Sequence, residues 1–176
     1  MQGMQGDETS GRDGHAHVDP ATLRDVAGRF PTGVAVITTE LDGRPYGFSA
    51  NAFSSLSLEP PLVLVCAART SSTRPALVAS GGFGINILAA DQEELCRTFA
   101  RKVDDRFAGI DWRPSPLGHP VLDGALAYLD CSLHSLLPGG DHVIFTGLVT
   151  ATEVRDGDAL MFYAGAFGRA PLPVRS

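Results

Sequence analysis

The feature that most constrains the fold is a succession of short extended runs separated by turn residues rather than by long helices. Asp42-Gly43 supplies the left-handed positions of a tight hairpin turn, and Pro138-Gly139-Gly140-Asp141 predicts a second turn. The run Pro61–Ala68 is continuously apolar, which predicts cover on both faces, whereas Phe83–Leu88 alternates. The predicted strands are Val34–Thr39, Tyr46–Phe53, Pro61–Ala68, Phe83–Leu88, Ala127–Leu136, His142–Val154 and Ala159–Ala164. Because strands and helices do not alternate regularly, the pattern predicts a mainly β fold, an antiparallel barrel rather than a Rossmann sheet.

Three short helices are predicted between these strands. The first begins at the Asp19-Pro20 pair, an N-cap followed by proline at the first helical position, and it ends before Gly33. The second lies within SSTRPALVASGG, residues 71–82, whose hydroxyl residues are cap candidates and whose glycines end the helix. The third begins at a capping box formed by Asp91 and Glu94, and it runs to about Arg101.

Composition limits the classes of function. Fourteen basic and twenty acidic side chains give a net charge of −6 without a basic cluster, which argues against nucleic-acid binding. No apolar stretch approaches the roughly 20 residues of a membrane span, and we expect a cytoplasmic protein. Residues 19–170 are expected to form one domain between a disordered tail, 1–18, and a short C-terminal tail, 171–176. The three widely spaced cysteines are expected to be buried free thiols, and no metal-binding pattern is present.

Small and hydroxyl-bearing residues are concentrated in GFSANAFSSLS, residues 47–57. Its polar members are Ser49, Asn51, Ser54 and Ser55, and its small members include Ala50 and Ala52. The polar side chains present donors and acceptors, while the alanines leave room for a flat ring against the backbone. An isoalloxazine needs such surroundings, because its pyrimidine edge is polar and its faces are apolar. Hydroxyl groups that only satisfy strand ends and turns are the alternative.

A second hydroxyl-rich segment, RTSSTRP, precedes the second predicted helix. Ser71, Ser72 and Thr73 lie between two arginines, Arg69 and Arg74. Free N–H groups at a helix start, hydroxyl groups and guanidinium charge together indicate a phosphate site. Simple helix capping, which needs one hydroxyl, is the alternative.

Two further candidates lie in turns and loops. Asp105, Arg106 and Phe107 fall within a loop-rich stretch, 104–120, and offer a cation and an aromatic face to the same ligand. A solvated loop with one anchored phenylalanine would look the same in sequence. His142, after the glycine turn, is a candidate for contact with a second planar ligand, or it has a structural role.

Several common catalytic motifs are missing from the sequence. There is no GxGxxG after a strand, no P-loop, no HExxH, no GxSxG and no Cys/His zinc pattern. Hydrolase and metalloenzyme functions therefore lose their usual support.

Six blocks of the sequence resemble, in order and at similar spacing, those of the flavin reductase components of two-component flavin-dependent monooxygenases, which have FMN-binding split β-barrels. The blocks are FPTGVAVITT, GFSANAFSSLSLEPPLVLVC, SSTRPAL, FGINILA, DRFAG and GGDHVIFTG, within residues 22–165. The resemblance implies an NAD(P)H:flavin oxidoreductase that binds FMN or FAD, takes hydride from NADH or NADPH and supplies reduced flavin to a partner monooxygenase. It also implies a homodimer with flavin near the subunit interface.

The same resemblance implies roles for individual residues. It implies ring contacts from Thr32, Gly33 and the SANAFSS segment, phosphate contacts from SSTRP, closure over the flavin by Arg106 and Phe107, and nicotinamide contacts from His142, Tyr163 and Arg169. The C-terminal YAGAFGR departs from the fuller tyrosine-and-histidine pattern of the family. Hydride transfer between two cofactors depends on their positioning and needs no acid–base pair. The lack of such a pair in the sequence therefore does not argue against a flavin reductase.

Two other functions fit the same type of barrel. One is an oxidase resembling pyridoxamine-phosphate oxidases, with FMN tightly bound; the other is a flavin- or haem-binding module without turnover. The order of the blocks and the GGDH element favour the reductase.

Overall fold

The structure, a computed structural model, describes residues 17–103 and 105–171. These residues form three helices and twelve strands. The helices are α1 Pro20–Ala27, α2 Arg74–Ser80 and α3 Glu93–Ala100. The strands are β1 Thr32–Gly33, β2 Ala35–Leu41, β3 Arg44–Ala50, β4 Phe53–Leu58, β5 Pro61–Ala68, β6 Gly82–Ile87, β7 Trp112–Pro114, β8 Pro120–Leu122, β9 Ala127–Gly139, β10 His142–Val154, β11 Ala159–Tyr163 and β12 Ala166–Ala170. Most of the predicted tails, 1–16 and 172–176, lie outside the described residues.

One antiparallel sheet of seven strands dominates, in the order β3-β2-β6-β9-β10-β5-β4. Its two edge strands, β3 and β4, are separated in sequence only by Asn51 and Ala52. A flat sheet of this size would be about 29 Å wide, whereas three Cα steps span about 11 Å at most. The sheet therefore curls until its ends approach, and β3 also contacts β5, the neighbour of β4. The Cys66 N–H donates to the Ala52 carbonyl at 3.1 Å, which extends the β4–β5 pairing to the corner. The predicted antiparallel split β-barrel is confirmed.

Two smaller sheets flank the barrel. β1, β11 and β12 form an antiparallel sheet, and β7 pairs with β8. β1 and β12 were not expected from the sequence, because β1 is two residues long and β12 follows a tight turn at Ala164-Gly165 with positive φ values. Residues 104–120, predicted to lack regular structure, contribute the short strand β7.

Apolar side chains on the two faces of β2 belong to different core clusters. Ile37 packs with Val65, Phe83 and Phe145 inside the barrel. On the other face, Val36 and its neighbour Val34 belong to a second cluster beneath α3, whose members also include Leu88, Phe99, Phe107, Leu122 and Leu160. The predicted burial of this strand is confirmed.

A group of buried polar side chains, here called the polar core cluster, lies beneath the β7–β8 pair. Asp130 is fully buried and accepts hydrogen bonds from Ser115 Oγ at 2.9 Å, Tyr128 OH at 3.0 Å and the Leu117 N–H at 3.0 Å. The buried ring of His119 completes the cluster, and its Nδ1 has no hydrogen-bond partner among the described residues. Three donors thus satisfy the one buried carboxylate.

Three strand predictions need correction. The run Tyr46–Phe53 is not continuous, because Asn51 and Ala52 form the corner at which the chain crosses from one sheet edge to the other. In β5 only alternate side chains are fully buried, since the other face of this strand is covered less completely. β6, predicted to alternate, is buried on both faces from Gly82 to Asn86, because it lies inside the sheet between β2 and β9.

The three helices form where they were expected, but their caps differ. Asp19 caps α1 as predicted, accepting from the Ala21 and Thr22 N–H groups at 3.0 and 3.1 Å. The capping box at Asp91 and Glu94 is wrong. α3 begins after Gln92, whose side chain instead accepts from the Ala89 N–H at 3.0 Å. None of the described helices is long and apolar enough to cross a membrane.

Candidate functional site

Two neighbouring cavities open at the corner between β3 and β4, and they are called connected here because they share wall residues. The first, the corner cavity, has a volume of about 310 Å³ and is lined by Phe30, Pro31, Thr32, Gly33, Val34, Ala35, Asn51, Phe53 and Ile87. The second, the hairpin cavity, has a volume of about 250 Å³ and is lined by Val34, Ser49, Ala50, Asn51, Cys96, Ala100, Phe162 and Phe167. Val34 and Asn51 belong to both walls. The fold thus brings Thr32 and Gly33 beside residues 49–51, although the sequence separates them.

Two polar side chains among the lining residues have no hydrogen-bond partner within the described part of the chain. Thr32 Oγ1 is buried without a hydrogen-bond partner among the described residues. The exposed Asn51 side chain also makes no hydrogen bond to the part of the chain that the structure describes. Ser49 differs, because its hydroxyl donates to the Cys96 carbonyl at 2.6 Å and ties β3 to α3. Since buried polar groups are normally paired, Thr32 Oγ1 indicates a site for a ligand or water.

The remaining polar residues of the 47–57 segment lie on the β4 side of the corner. Ser54 and Ser55 are exposed, and Ser54 Oγ donates to the Ser55 carbonyl at 3.0 Å. Ala52 holds the corner through its carbonyl. These residues lie beyond the walls of both cavities.

The hydroxyl-rich loop, residues 69–74, is braced by its own arginines. Arg69 Nε donates to the Gly140 carbonyl at 2.7 Å, and Arg74 Nε donates to the Arg69 carbonyl at 3.3 Å. Ser71 Oγ accepts from the Thr73 N–H at 3.3 Å. The exposed Ser72 makes no internal hydrogen bond in the described part of the chain.

Thr73 and Arg106, which the sequence analysis assigned to separate segments, meet at one backbone carbonyl. Thr73 Oγ1 donates to the Gly47 carbonyl at 3.1 Å, and Arg106 Nη1 donates to the same oxygen at 3.4 Å. Arg106 Nε is held by the Arg101 carbonyl at 2.7 Å. Three guanidinium groups therefore lie on or beside the 69–74 loop, in a chain whose net charge is negative.

Phe107 is 7% exposed and belongs to the second core cluster. Its ring packs edge-on against Phe99 at 4.9 Å and against Trp112 at 6.1 Å between centroids. The neighbouring Asp105 accepts the Phe107 N–H at 2.9 Å. Phe107 is thus placed as an anchor for the loop, and its closure over a flavin stays a prediction.

His142 is the first residue of β10 and pairs with Ala68 at the end of β5. Its Nδ1 lies 2.8 Å from Asp141 Oδ1, a hydrogen bond that lowers the pKa of the Asp141 carboxyl, and its side chain is 44% exposed. The Arg69 N–H donates to the Asp141 carbonyl at 2.9 Å. Ala68 is two residues, about 7 Å along the strand, from Cys66 at the barrel corner. The imidazole therefore lies at the same end of the sheet as the 69–74 loop.

The C-terminal hairpin supplies residues that the sequence analysis missed. Phe162 and Phe167 pair across β11 and β12 with ring centroids 5.3 Å apart, and both line the hairpin cavity. The Arg97 guanidinium lies 4.9 Å above the Phe167 ring. The predicted residues Tyr163 and Arg169 lie in the same hairpin; Tyr163 is exposed and Arg169 pairs with Asp158. The alternation of aromatic and small residues in FYAGAFG could have indicated this second strand.

None of the three cysteines is activated for catalysis. All are free thiols, as expected. Burial raises the pKa of Cys131 to about 12, and it also raises the pKa of Cys66 and of Cys96. Cys96 therefore contributes a neutral wall to the hairpin cavity.

Comparison with known proteins identifies relatives across the described chain. The model of the flavin reductase-like domain matches residues 27–171. The reductase subunit of a flavin-dependent monooxygenase from Rhodococcus jostii is 48% identical over 151 residues, which are 85% of this chain and 77% of the relative. A reductase subunit of the same description from Mycobacterium tuberculosis is 46% identical over 155 residues, 86% of this chain and 83% of the relative.

Solved structures agree with these matches. Nitrilotriacetate monooxygenase component B from Mycobacterium thermoresistibile superposes with a TM-score of 0.83 at 42% identity, covering 89% of this chain and 91% of the other. An NADH:FAD oxidoreductase from Streptomyces globisporus, in complex with NAD and FAD fragments, has a TM-score of 0.82 at 39% identity and covers 88% of this chain and 96% of the other.

Proposed function

The chain belongs to the flavin reductase-like domain family, and from this premise we propose that its two connected cavities hold a flavin ring while the 69–74 loop holds the phosphate. Its activity is that of an NAD(P)H-dependent flavin reductase, the reductase component of a two-component monooxygenase system. The single observation that supports the ring site best concerns two residues of the corner cavity: within residues 17–103 and 105–171, neither the buried Thr32 Oγ1 nor the Asn51 side chain has a hydrogen-bond partner.

The residues around the cavities fit a flavin. Flavin held there would supply the acceptor for hydride from NADH or NADPH, and its reduced form would serve the partner monooxygenase. Thr32 and Asn51 offer hydrogen bonds to the polar edge of the ring, and Ala50 leaves its face uncrowded. Phe162 and Phe167 supply an apolar wall. The chain contributes orientation and hydrogen bonds, which is what transfer between two planar carriers requires.

The phosphate is assigned to the 69–74 loop because cationic and hydroxyl groups converge there. Arg69 and Arg74 each donate to a backbone carbonyl through one nitrogen, and Arg106 donates to two carbonyls through two nitrogens, which fixes the direction of each guanidinium group. Ser71 and Ser72 add hydroxyl groups at the surface. Charge-assisted hydrogen bonds of this kind are the stronger class, and arginine geometry suits phosphate oxygens.

His142 is assigned to the nicotinamide. Its ring is oriented by Asp141 and stays accessible at the end of β10. Tyr163 and Arg169 of the C-terminal hairpin are assigned to the border of the same site, as the family resemblance implies. We assign no acid–base step to these residues, because hydride transfer needs none.

Steady-state oxidation of NADH and NADPH with added FMN or FAD tests the activity. We expect a rate that rises and saturates with added flavin. A constant rate without added flavin, sustained by tightly bound FMN and an organic substrate, would indicate the oxidase alternative. If neither NADH nor NADPH is oxidised, the binding module without turnover is the alternative that remains.

We also propose that the protein is a homodimer with the corner cavity near the interface. Large apolar side chains are exposed at several places on the surface: Phe30 on the rim of this cavity is 75% exposed, and Leu58, at the other end of β4 from the lining residue Phe53, is 92% exposed. The apolar face of α1, including Leu23 and Val26, is also uncovered. Exposed apolar side chains of this size support the proposed interface.

Sedimentation velocity tests the homodimer. We expect a dimer for the unmodified chain and a shift toward monomer for Leu58→Glu. The matched control is Val154→Glu, a change at another strongly exposed apolar residue, the last of β10. A monomeric unmodified chain would contradict the proposal.

We also propose that the protein is cytoplasmic. The three free thiols support this location, and cell fractionation tests it.

A further inference from the structure

The carbonyl of Gly47 joins two parts of the proposed phosphate site. Gly47 lies on β3, an edge strand, where carbonyl groups that point away from β2 have no strand partner. This carbonyl accepts from Thr73 Oγ1 of the 69–74 loop at 3.1 Å and from Arg106 Nη1 at 3.4 Å. One acceptor therefore fixes the distance between the loop and the arginine.

The shared acceptor, the Gly47 carbonyl, cannot shift easily, because the backbone at Gly47 is closely packed on its other sides. A Cβ atom at this position would lie 2.8 Å from Phe99 Cε1 and 3.1 Å from the Ile37 carbonyl oxygen. Phe99 in turn packs against Phe107, the residue after Arg106. The backbone at Gly47 is thus held between α3 and β2, and its carbonyl is a rigid reference point.

Thr73 and Ser72 differ in what they can offer a ligand. Thr73 is 1% exposed, and its hydroxyl hydrogen is used by the Gly47 carbonyl. Ser72 is exposed and has no internal hydrogen bond in the described part of the chain. Arg106 uses Nε and Nη1 on backbone carbonyls, so Nη2 is the nitrogen that stays available.

We propose that Thr73 is a positioning residue, which acts through the Gly47 carbonyl to hold the 69–74 loop and Arg106 at the separation that a flavin phosphate needs. This inference rests on the proposed phosphate site, and it removes Thr73 from the set of groups that touch the ligand. Ser71, Ser72 and Arg106 are then the contacting groups.

Binding of FMN and of riboflavin, which has the same ring without the phosphate, separates this role from a general loss of structure. The measured quantity is the ratio of the two dissociation constants, from fluorescence titration. We expect the unmodified chain to prefer FMN. We expect Thr73→Val to reduce this preference about three- to tenfold, and Thr73→Ser to retain it because the hydroxyl is kept.

The matched control is Thr38→Val. Thr38 is also fully buried and donates to a carbonyl, that of Pro120, which Asn86 Nδ2 shares, just as Arg106 shares the Gly47 carbonyl. We expect this change to lower the midpoint of thermal unfolding and to leave the FMN preference within about twofold. An unchanged preference in Thr73→Val, or an equal loss in Thr38→Val, would overturn the positioning role.

A double-mutant cycle distinguishes positioning from direct contact. If Thr73 acts by placing Arg106, Thr73→Val has a smaller effect on the FMN preference in the Arg106→Ala background than alone. Full additivity would put Thr73 in independent contact with the phosphate and overturn the inference. An unmodified chain with equal affinity for FMN and riboflavin would overturn both this inference and the proposed phosphate site, whereas failure of Thr73→Val alone would leave the phosphate site standing.

Discussion

The polar core cluster beneath β7–β8 and the corner beside β3–β4 differ in how many of their polar side chains have hydrogen-bond partners. Among the described residues, the cluster leaves His119 Nδ1 without a partner, although its carboxylate and hydroxyl groups are paired. In the cluster, the fully buried Asp130 accepts three hydrogen bonds, including those from Ser115 and Tyr128. At the corner, Thr32 Oγ1 and the side chain of Asn51 have no partner among the described residues. Satisfied polar groups hold the scaffold together, whereas unsatisfied ones at a cavity wall are available to a ligand.

This difference leads to opposite expectations for substitutions. Removing a member of the polar core cluster leaves buried donors without an acceptor, so the cost falls on the free energy of unfolding. Removing a free group at the corner leaves nothing unpaired, so the cost falls on flavin binding.

Asp130→Ala is the change with the largest expected effect. It leaves two hydroxyl groups and the Leu117 N–H without their acceptor, and we expect the free energy of unfolding to fall by about 3 to 5 kcal/mol. Urea unfolding followed by circular dichroism measures this loss. Flavin affinity of the folded fraction should change less than twofold. A stability loss below about 1 kcal/mol would show that the cluster is not the structural element described.

Asn51→Ala tests the other region. Because Asn51 is exposed and makes no hydrogen bond to the described chain, we expect the free energy of unfolding to stay within about 0.5 kcal/mol. Loss of its contacts to the ring should weaken FMN and riboflavin alike, by about tenfold. Titration of both ligands measures this. Ser54→Ala, beyond the cavity walls, is the control, and unchanged affinity in Asn51→Ala would contradict the ring site.

His142→Ala separates the nicotinamide end from the flavin end. We expect the KM for NADH or NADPH to rise about three- to tenfold while the KM for flavin changes less, because the imidazole is assigned to the nicotinamide. Initial-rate kinetics with each substrate varied in turn provides both constants. A larger rise in the flavin KM would move His142 to the flavin site.

The pH dependence of stability is the smallest effect and belongs to the polar core cluster. Burial lowers the pKa of His119 from its ordinary value near 6.5, although Asp130 and Glu40 act in the opposite direction. The unfolded chain then takes up the proton first, so stability is complete above about pH 6.5 and declines as the pH falls below it. Urea unfolding from pH 7.5 to 5 measures the slope, and His119→Gln should reduce it. An unchanged slope in that variant would assign the dependence to other groups.

Local patterns predicted most elements of the fold, because turns, caps and burial leave traces in neighbouring residues. The Asp42-Gly43 turn and the start of α1 at Asp19 are examples. The order of strands in the sheet was beyond such patterns, since it depends on pairing between distant segments. For that reason the sequence pattern predicted one continuous strand, Tyr46–Phe53, where the structure has a corner at Asn51 between the two edge strands.

The sequence predicted which segments form the candidate site. It did not predict which hydrogen bonds the residues of those segments make. Ser72 and Ser115 both lie in polar, proline-containing loops, and nothing local distinguishes them. Ser72 is exposed and makes no hydrogen bond to the residues that the structure describes, while Ser115 donates to the buried Asp130. The role of Thr73 likewise depends on Gly47, twenty-six residues away in sequence. Which polar groups are satisfied is decided by tertiary neighbours.

A crystal structure of the protein with FMN shows directly where the ring and the phosphate bind. We expect the ring in the connected cavities, with Thr32 and Asn51 within hydrogen-bond distance of its polar edge. We expect the phosphate against the 69–74 loop and Arg106. A ring bound elsewhere, for example in the cleft beside Trp112, Arg113 and Arg155, with Thr32 Oγ1 still unpaired, would contradict the proposed flavin site.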